Sequence, residues 1–311
     1  MDLIDRYRGA LLGLAVGDAL GTTLEFKPPG SFEPISDMVG GGPFRLTPGT
    51  WTDDTSMALC LAESLIKKQG FDPTDQMDRY VRWWKEGHHS ATGQCFDIGS
   101  TVSRALADFR SSGNPYSGST NPRSAGNGSL MRLAPIPLAF RLAADPWRYA
   151  ANSSATTHAA RTCLDACGFY SALTVLALKG HSKELLLGAD SIPAQLFEEG
   201  ASSEIRDVAQ GSYWKNQPPN IRGTGYVVDA LEAALWAFNE SDSFREGALL
   251  AVNLGEDADT TGAIFGQLAG AYYGVEGIPG EWRGKIAQRD LICQFADSLY
   301  QLSETVQAKV S

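Results

Sequence analysis

The sequence predicts an all-α fold, a compact single-domain multi-helix bundle spanning residues 1–311. Three observations carry that expectation. Apolar residues recur at helical spacing along most of the chain, strand-like alternation is scarce, and two segments carry glycine every fourth residue on one face.

The helical pattern begins at 4–20, which holds Gly9, Gly13, Gly17 and Gly21. It resumes at 55–68, directly after Thr52, Asp53, Asp54 and Thr55, residue types suited to a helix start. Segments 75–86 and 98–110 follow, the latter opened by Asp97, and then 129–142. Segment 159–179 carries Cys163 and Cys167 inside an apolar pattern, and 225–239 follows Gly223-Thr224-Gly225. After 244–253 comes 260–273, headed by Asp257 and Asp259, with Gly262, Gly266, Gly270 and then Gly274; 288–303 completes the series. Each glycine inside a helix costs about 1 kcal/mol relative to alanine. Close approach of two backbones offsets that cost, so the two striped helices are expected at the centre of the bundle, against each other. The Gly-, Pro- and Ser-rich stretches 27–50, 111–128 and 211–225 are neither uniformly polar nor charged, and read as functional loops rather than linkers.

Apolar residues make up 43% of the chain and are spread along it, enough for a sizeable core. The formal charge is -10, from 36 acidic and 26 basic residues, and no stretch gathers Lys and Arg into a stripe. Binding to nucleic acid as a bulk polyanion is therefore not expected. The surplus carboxylates suit a divalent cation, although a solvated acidic surface is the simpler reading for most of them. Five cysteines cannot all pair, and Cys60, Cys163 and Cys167 read as reduced thiols packed like small hydrophobes. Cys163 and Cys167 have no second Cys or His pair at metal-ligand spacing. The apolar run Ala10 to Val16 lies between Asp2, Asp5 and Asp18 and lacks signal-peptide flanks. No segment reaches the roughly 18 apolar residues of a membrane span, so a cytoplasmic protein is expected.

The strongest chemical signal is a pair of oxygen-rich clusters, Thr52-Asp53-Asp54-Thr55 and Asp257, Asp259, Thr260 and Thr261, each opening a helix. Either one alone reads as a helix cap. One cap does not call for adjacent aspartates, and two such clusters brought together would repel strongly without a cation. Donors that are all oxygen favour Mg²⁺, Mn²⁺ or Ca²⁺ over zinc. Asp257 to Gly262 imitates the start of an EF-hand loop, but Leu268 stands where the bidentate glutamate belongs, which rules that motif out.

In order, Gly17-Asp18-Ala19-Leu20-Gly21, Trp51-Thr52-Asp53-Asp54-Thr55, Phe96-Asp97-Ile98-Gly99, Gly126-Asn127-Gly128-Ser129-Leu130-Met131-Arg132, Thr157-His158 and Gly255 to Gly262 resemble the ADP-ribosylglycohydrolase family, most of all its bacterial dinitrogenase reductase-activating branch. The resemblance implies a helical bundle holding two Mg²⁺ or Mn²⁺ ions, with Thr52, Asp53, Asp54, Asp257, Asp259 and Thr260 as ligands. It implies Asn127, Gly128, Ser129 and His158 near a bound ADP-ribose, and Asp97 and Glu25 as catalytic carboxylates. Backbone N-H groups of a glycine loop suit phosphate oxygens. Tyr226 is a candidate for stacking on adenine, with a core aromatic as the alternative. For His158 the alternative is a hydrogen-bonded structural residue, for Asp97 a helix cap, and for Glu25 a solvated loop charge. His88 and His89, without partners at ligand spacing, read as surface residues.

The implied activity is hydrolysis of the N-glycosidic bond between ADP-ribose and a modified arginine of a partner protein, with ADP-ribose as product. Carboxylates would stabilise oxocarbenium-like charge on the sugar. Rival expectations are serine-linked, nucleic-acid-end or free ADP-ribose conjugates as substrates, and a non-catalytic ADP-ribose-binding or structural relative. Loss of the aspartates would mark the last, and all are present.

Overall fold

The computed structural model describes residues 1–188, 194–197 and 200–310. Its helices are α1 (Leu3–Gly21), α2 (Asp53–Lys68), α3 (Pro73–Glu86), α4 (Ser100–Ser112), α5 (Pro135–Phe140), α6 (Pro146–Ala155), α7 (Arg161–Leu178), α8 (Lys183–Leu187), α9 (Ser203–Ala209), α10 (Val227–Asn239), α11 (Phe244–Val252), α12 (Ala258–Gly277), α13 (Gly280–Lys285) and α14 (Arg289–Val310). The described residues contain no strand, and their β-type pairing is confined to the isolated bridges Gly41 with Leu46, Ser119 with His158 and Gly126 with Tyr226. No described helix is long and apolar enough to cross a membrane.

The glycine stripes meet. α1 and α12 run antiparallel through the centre, with Gly9 against Gly270, Gly13 against Gly266 and Gly17 against Gly262. A Cβ on any of these six would overlap the carbonyl oxygen of its opposite number. The contact therefore repays the lost helix propensity only as long as both partners lack side chains. The stripe departs from expectation at its ends: Gly21 faces Ala258, and Gly274 has left helical geometry at φ 71, ψ 175, where α12 kinks. Arg6 holds the chain near that kink, its Nη1 lying 2.9 Å and 2.7 Å from the carbonyls of Ala271 and Tyr272 and 3.1 Å from that of Ala177. Around this pair α14, α11, α10, α7 and α2 pack their apolar faces, with Trp51, Trp282, Tyr170, Phe238 and Phe265 buried.

Most boundaries follow the periodicity; the expected helix 129–142 does not. It shrinks to Pro135–Phe140, because Pro135 and Pro137 lack the N-H groups a continuous helix needs. The carbonyls before it are taken by side chains instead, Gln267 Nε2 donating to Leu130 (3.1 Å) and Met131 (2.7 Å). The short helices α6, α8, α9 and α13 carry too few turns for a clear apolar period. His88 and His89 are also corrected. They are half-buried, with Nε2 atoms 2.7 Å and 3.1 Å from Glu63 Oε2, and Glu63 is further engaged by Arg79.

Gly266→Val should destabilise the protein by about 3 kcal/mol, the scale of forced overpacking. Gly284→Ala, in open space on α13, should be neutral or slightly stabilising. Urea denaturation of both variants checks this, and equal midpoints would remove the backbone contact from its central place.

Candidate metal centre

The antiparallel register sets the end of α1 beside the start of α12, and α2 begins at the same place. Asp18, in the last turn of α1, is fully buried and works as an external cap for α2. Its Oδ1 accepts from the Thr52 N-H (2.8 Å) and lies 3.0 Å from Thr52 Oγ1; its Oδ2 accepts from the Thr55 N-H (3.1 Å) and hydroxyl (2.6 Å). With Asp18 in that role, the side chains of the expected caps are released. Neither Thr52 before α2 nor Asp257 before α12 makes a side-chain cap bond. The sequence motif Gly17-Asp18-Ala19-Leu20-Gly21 was visible, but no role for Asp18 could be read from it.

The two oxygen-rich clusters converge. Thr52 Oγ1 lies 3.1 Å from Asp54 Oδ2 and 3.3 Å from Asp259 Oδ2. Asp18, Asp54 and Asp259 each bring an oxygen within 4.8 Å of the other two, and Glu25, Asp97 and Asp259 do the same. Asp53 and Thr260 line the cleft beside them, and Asp257 Oδ2 accepts from Asn127 Nδ2 at 2.6 Å. Asp54 Oδ1, Asp259 Oδ1 and Glu25 Oε2 are buried without a hydrogen-bond partner among the described residues. Burial first, then repulsion among neighbouring carboxylates, holds Asp53, Asp54 and Asp259 well above the usual carboxylate range. The same causes push Glu25 up to about 10 and Asp97 up to about 7. Orphaned, mutually repelling oxygens of this kind fit a hard divalent cation. The N-termini of α2 and α12 point at the cluster and offset part of its charge.

Asp97 does not cap α4. Gly99 occupies that position, and Asp97 stands before it at φ 59 with its carboxylate turned toward Glu25 and Asp259. Phe26 (φ 61) and Glu256 (φ 54) share this left-handed backbone, a concentration of strain typical of functional sites. Backbone bonds stitch the surrounding loops together: Phe26 N-H to Glu256 O (2.6 Å), Asp257 N-H to Gly223 O (2.9 Å), Asn127 N-H to Gly225 O (3.1 Å) and Val227 N-H to Ala125 O (3.0 Å). The resulting cavity has a volume of about 380 Å³. Asn127, Gly128 and His158 line it together with Glu25 and Asp97.

Two expected contacts lie elsewhere. The Ser129 hydroxyl faces the interior, 2.8 Å from Ser154 Oγ and 3.5 Å from Cys167 Sγ. Tyr226 stands beside the glycine loop through its bridge to Gly126, but its hydroxyl donates to Glu204 on α9 (2.8 Å). Phe26, 64% exposed at the cleft mouth, was missed; an apolar residue following Glu25 gives no periodic signal. A larger groove of about 720 Å³ lies behind Pro29 and Trp236, but its charged lining is Arg222 paired with Glu256, plus Glu246.

Fold and site together define the class: an all-helical protein built around a cleft of converged carboxylates. A family model described as ADP-ribosylglycohydrolase matches residues 1–309. The ADP-ribosylarginine hydrolase Tri1 of Pseudomonas putida (strain GB-1) is 45% identical over 97% of this chain and 80% of its own length. The ADP-ribosyl-[dinitrogen reductase] glycohydrolase of Rhodospirillum rubrum is 35% identical over 91% of this chain and 90% of its own. A solved ADP-ribosylglycohydrolase-related protein complex superposes with a TM-score of 0.86 at 46% identity, covering 97% of this chain and 99% of that one. The chain belongs to the ADP-ribosylglycohydrolase family and is a hydrolase.

In chelator, Asp54→Asn should raise the urea midpoint, because it removes a buried repulsive charge. The same substitution should weaken Mn²⁺ binding by about 10-fold or more. Calorimetry finding unaltered Mn²⁺ affinity would take Asp54 out of the cation site.

Proposed function

We propose that this protein hydrolyses the bond between ADP-ribose and an arginine side chain of a modified protein, and does so with two Mg²⁺ or Mn²⁺ ions. The carrying observation is the meeting of Asp54 and Asp259, brought from opposite ends of the chain to within 4.8 Å beside a cavity lined by a glycine loop. Thr52, Asp53, Asp54, Asp257, Asp259 and Thr260 are the proposed ligands. When bound, the ions would supply Lewis-acid stabilisation and fix the ribose.

The remaining chemistry falls to side chains of the cleft. The Asn127 side chain and the N-H groups of Gly128 and Ser129 hold ribose and diphosphate oxygens, with His158 behind them, while the Gly126 and Asn127 N-H groups are taken by the carbonyls of Ser124 and Gly225. Ser129 contributes only its backbone in this reading, since its hydroxyl is engaged inside. Tyr226, beside the glycine loop through its bridge to Gly126, is the proposed partner of the adenine, with its hydroxyl held by Glu204. Breakage at the anomeric carbon leaves positive charge on the sugar, and Glu25 and Asp97, ionised once cations neutralise the neighbouring aspartates, would supply the compensating negative field. Asp97, whose carboxylate is turned into the cleft beside Glu25, is the group placed to exchange a proton with the attacking water or the leaving guanidine. Glu25 positions that water. The arginine linkage is supported by the ADP-ribosylarginine hydrolase activity of the Pseudomonas putida relative and by the Glu25 and Asp97 carboxylates lining the cleft, suited to a guanidinium.

Incubation with an ADP-ribosyl-arginine protein should release free ADP-ribose in the presence of Mn²⁺ and not in chelator. Release indifferent to chelator would overturn the cation-dependent reading. Asp97→Asn should keep Mn²⁺ affinity and lower kcat by about 100-fold; an unchanged kcat would remove Asp97 from the chemistry.

A further inference from the structure

Behind the glycine loop lies a buried cation that the reaction does not use. Arg132 is 1% exposed, and no carboxylate stands within ion-pair distance of it among the described residues. Its Nη1 donates to the Gly128 carbonyl (2.9 Å), its Nη2 donates to Thr157 Oγ1 (2.8 Å), and its guanidinium carbon stands 4.6 Å above the Tyr80 ring. Thr157 Oγ1 in turn lies 2.9 Å from His158 Nδ1.

Hydrogen-bond bookkeeping fixes the proton positions along this chain. A guanidinium only donates, so Thr157 Oγ1 accepts from Arg132. The Thr157 hydroxyl proton has no acceptor among the described residues other than His158 Nδ1. Nδ1 is therefore the unprotonated nitrogen, and the ring proton sits on Nε2. That nitrogen has no protein partner among the described residues, and the ring lines the cavity between Gly126 and Gly128. The fit is close: a Cβ on Gly128 would stand 2.9 Å from Cε1 and 3.2 Å from Nε2 of His158. Burial, reinforced by the Arg132 charge, also brings His158 down to about 3, so the imidazole is neutral in the working range.

We infer that Arg132 and Thr157 are positioning residues that lock His158 as its Nε2-H tautomer, making it a neutral hydrogen-bond donor to an oxygen of the bound ADP-ribosyl group. The tautomer rests on this structure alone; the identity of the oxygen rests on the proposed function above. In this form His158 offers no lone pair to the cavity. It is neither a metal ligand nor a proton acceptor, and it favours an oxygen-rich, anionic ligand.

The test has two arms. Histidine-selective ¹⁵N labelling of the whole chain, with His158 assigned among the four histidines by its loss in His158→Asn, reads the tautomer directly. A pyrrole-like Nε2 and a pyridine-like Nδ1 at neutral pH are expected; the reverse pattern overturns the inference, whatever the enzyme hydrolyses. In the second arm, Thr157→Val removes the hydroxyl at nearly constant volume. It should weaken ADP-ribose binding and raise KM for ADP-ribosyl-arginine by about 10-fold, with kcat nearly unchanged, the scale of one lost hydrogen bond. Thr157→Ser should restore both the spectrum and KM, which a purely structural role for the methyl-bearing threonine would not produce. A Val variant with wild-type ADP-ribose affinity overturns the inference. If the wild-type spectrum shows Nε2-H but the protein binds no ADP-ribose, the locked tautomer stands and the substrate reading falls.

Discussion

The contact on which the rest of this structure depends is the antiparallel meeting of two backbones, Gly9, Gly13 and Gly17 of α1 against Gly270, Gly266 and Gly262 of α12. Side chains normally keep helix axes well apart; here none intervene, so the register is fixed by steric exclusion rather than by a choice among apolar packings. One consequence is chemical. With Gly21 facing Ala258, the turn that carries Glu25 and the loop that carries Asp257 have nowhere to go except beside each other.

That placement concentrates negative charge among buried side chains, and the fold offsets part of it with its own donors. Asp18 spends both of its oxygens on Thr52 and Thr55, so its charge is tied to the start of α2. The helix dipoles of α2 and α12 converge on the same carboxylates. What is left unbalanced is the set of oxygens on Asp54, Asp259 and Glu25 that face no donor. On the opposite wall the polarity is reversed: Arg132 buries a positive charge beneath the glycine loop, and Asn127 bridges the two halves through Asp257.

Much of this was legible in the residues. The glycine stripes announced their own partner, because a cost paid at every fourth position makes sense only against a matching face. The paired acidic clusters announced a shared site, since no single helix start needs so many carboxylates. Asp18 was less readable: buried aspartates inside an apolar helix look the same whether they cap, ligate or catalyse. His88 and His89 looked unpartnered because Glu63, their carboxylate, lies a helix away in sequence. The 129–142 segment looked helical because its apolar spacing outweighed the prolines that truncate it and says nothing of Gln267 claiming its carbonyls.

The sequence by itself therefore determined the helical class, the central helix pair and the oxygen-rich character of the acidic clusters, because periodicity, backbone steric demand and donor type are local properties of residues. Only the tertiary structure decided which carboxylates face one another, which serve as scaffolding, and how Ser129, Tyr226 and His158 are turned. Those outcomes depend on contacts between segments far apart in the chain, and on hydrogen bonds whose partners no local pattern encodes.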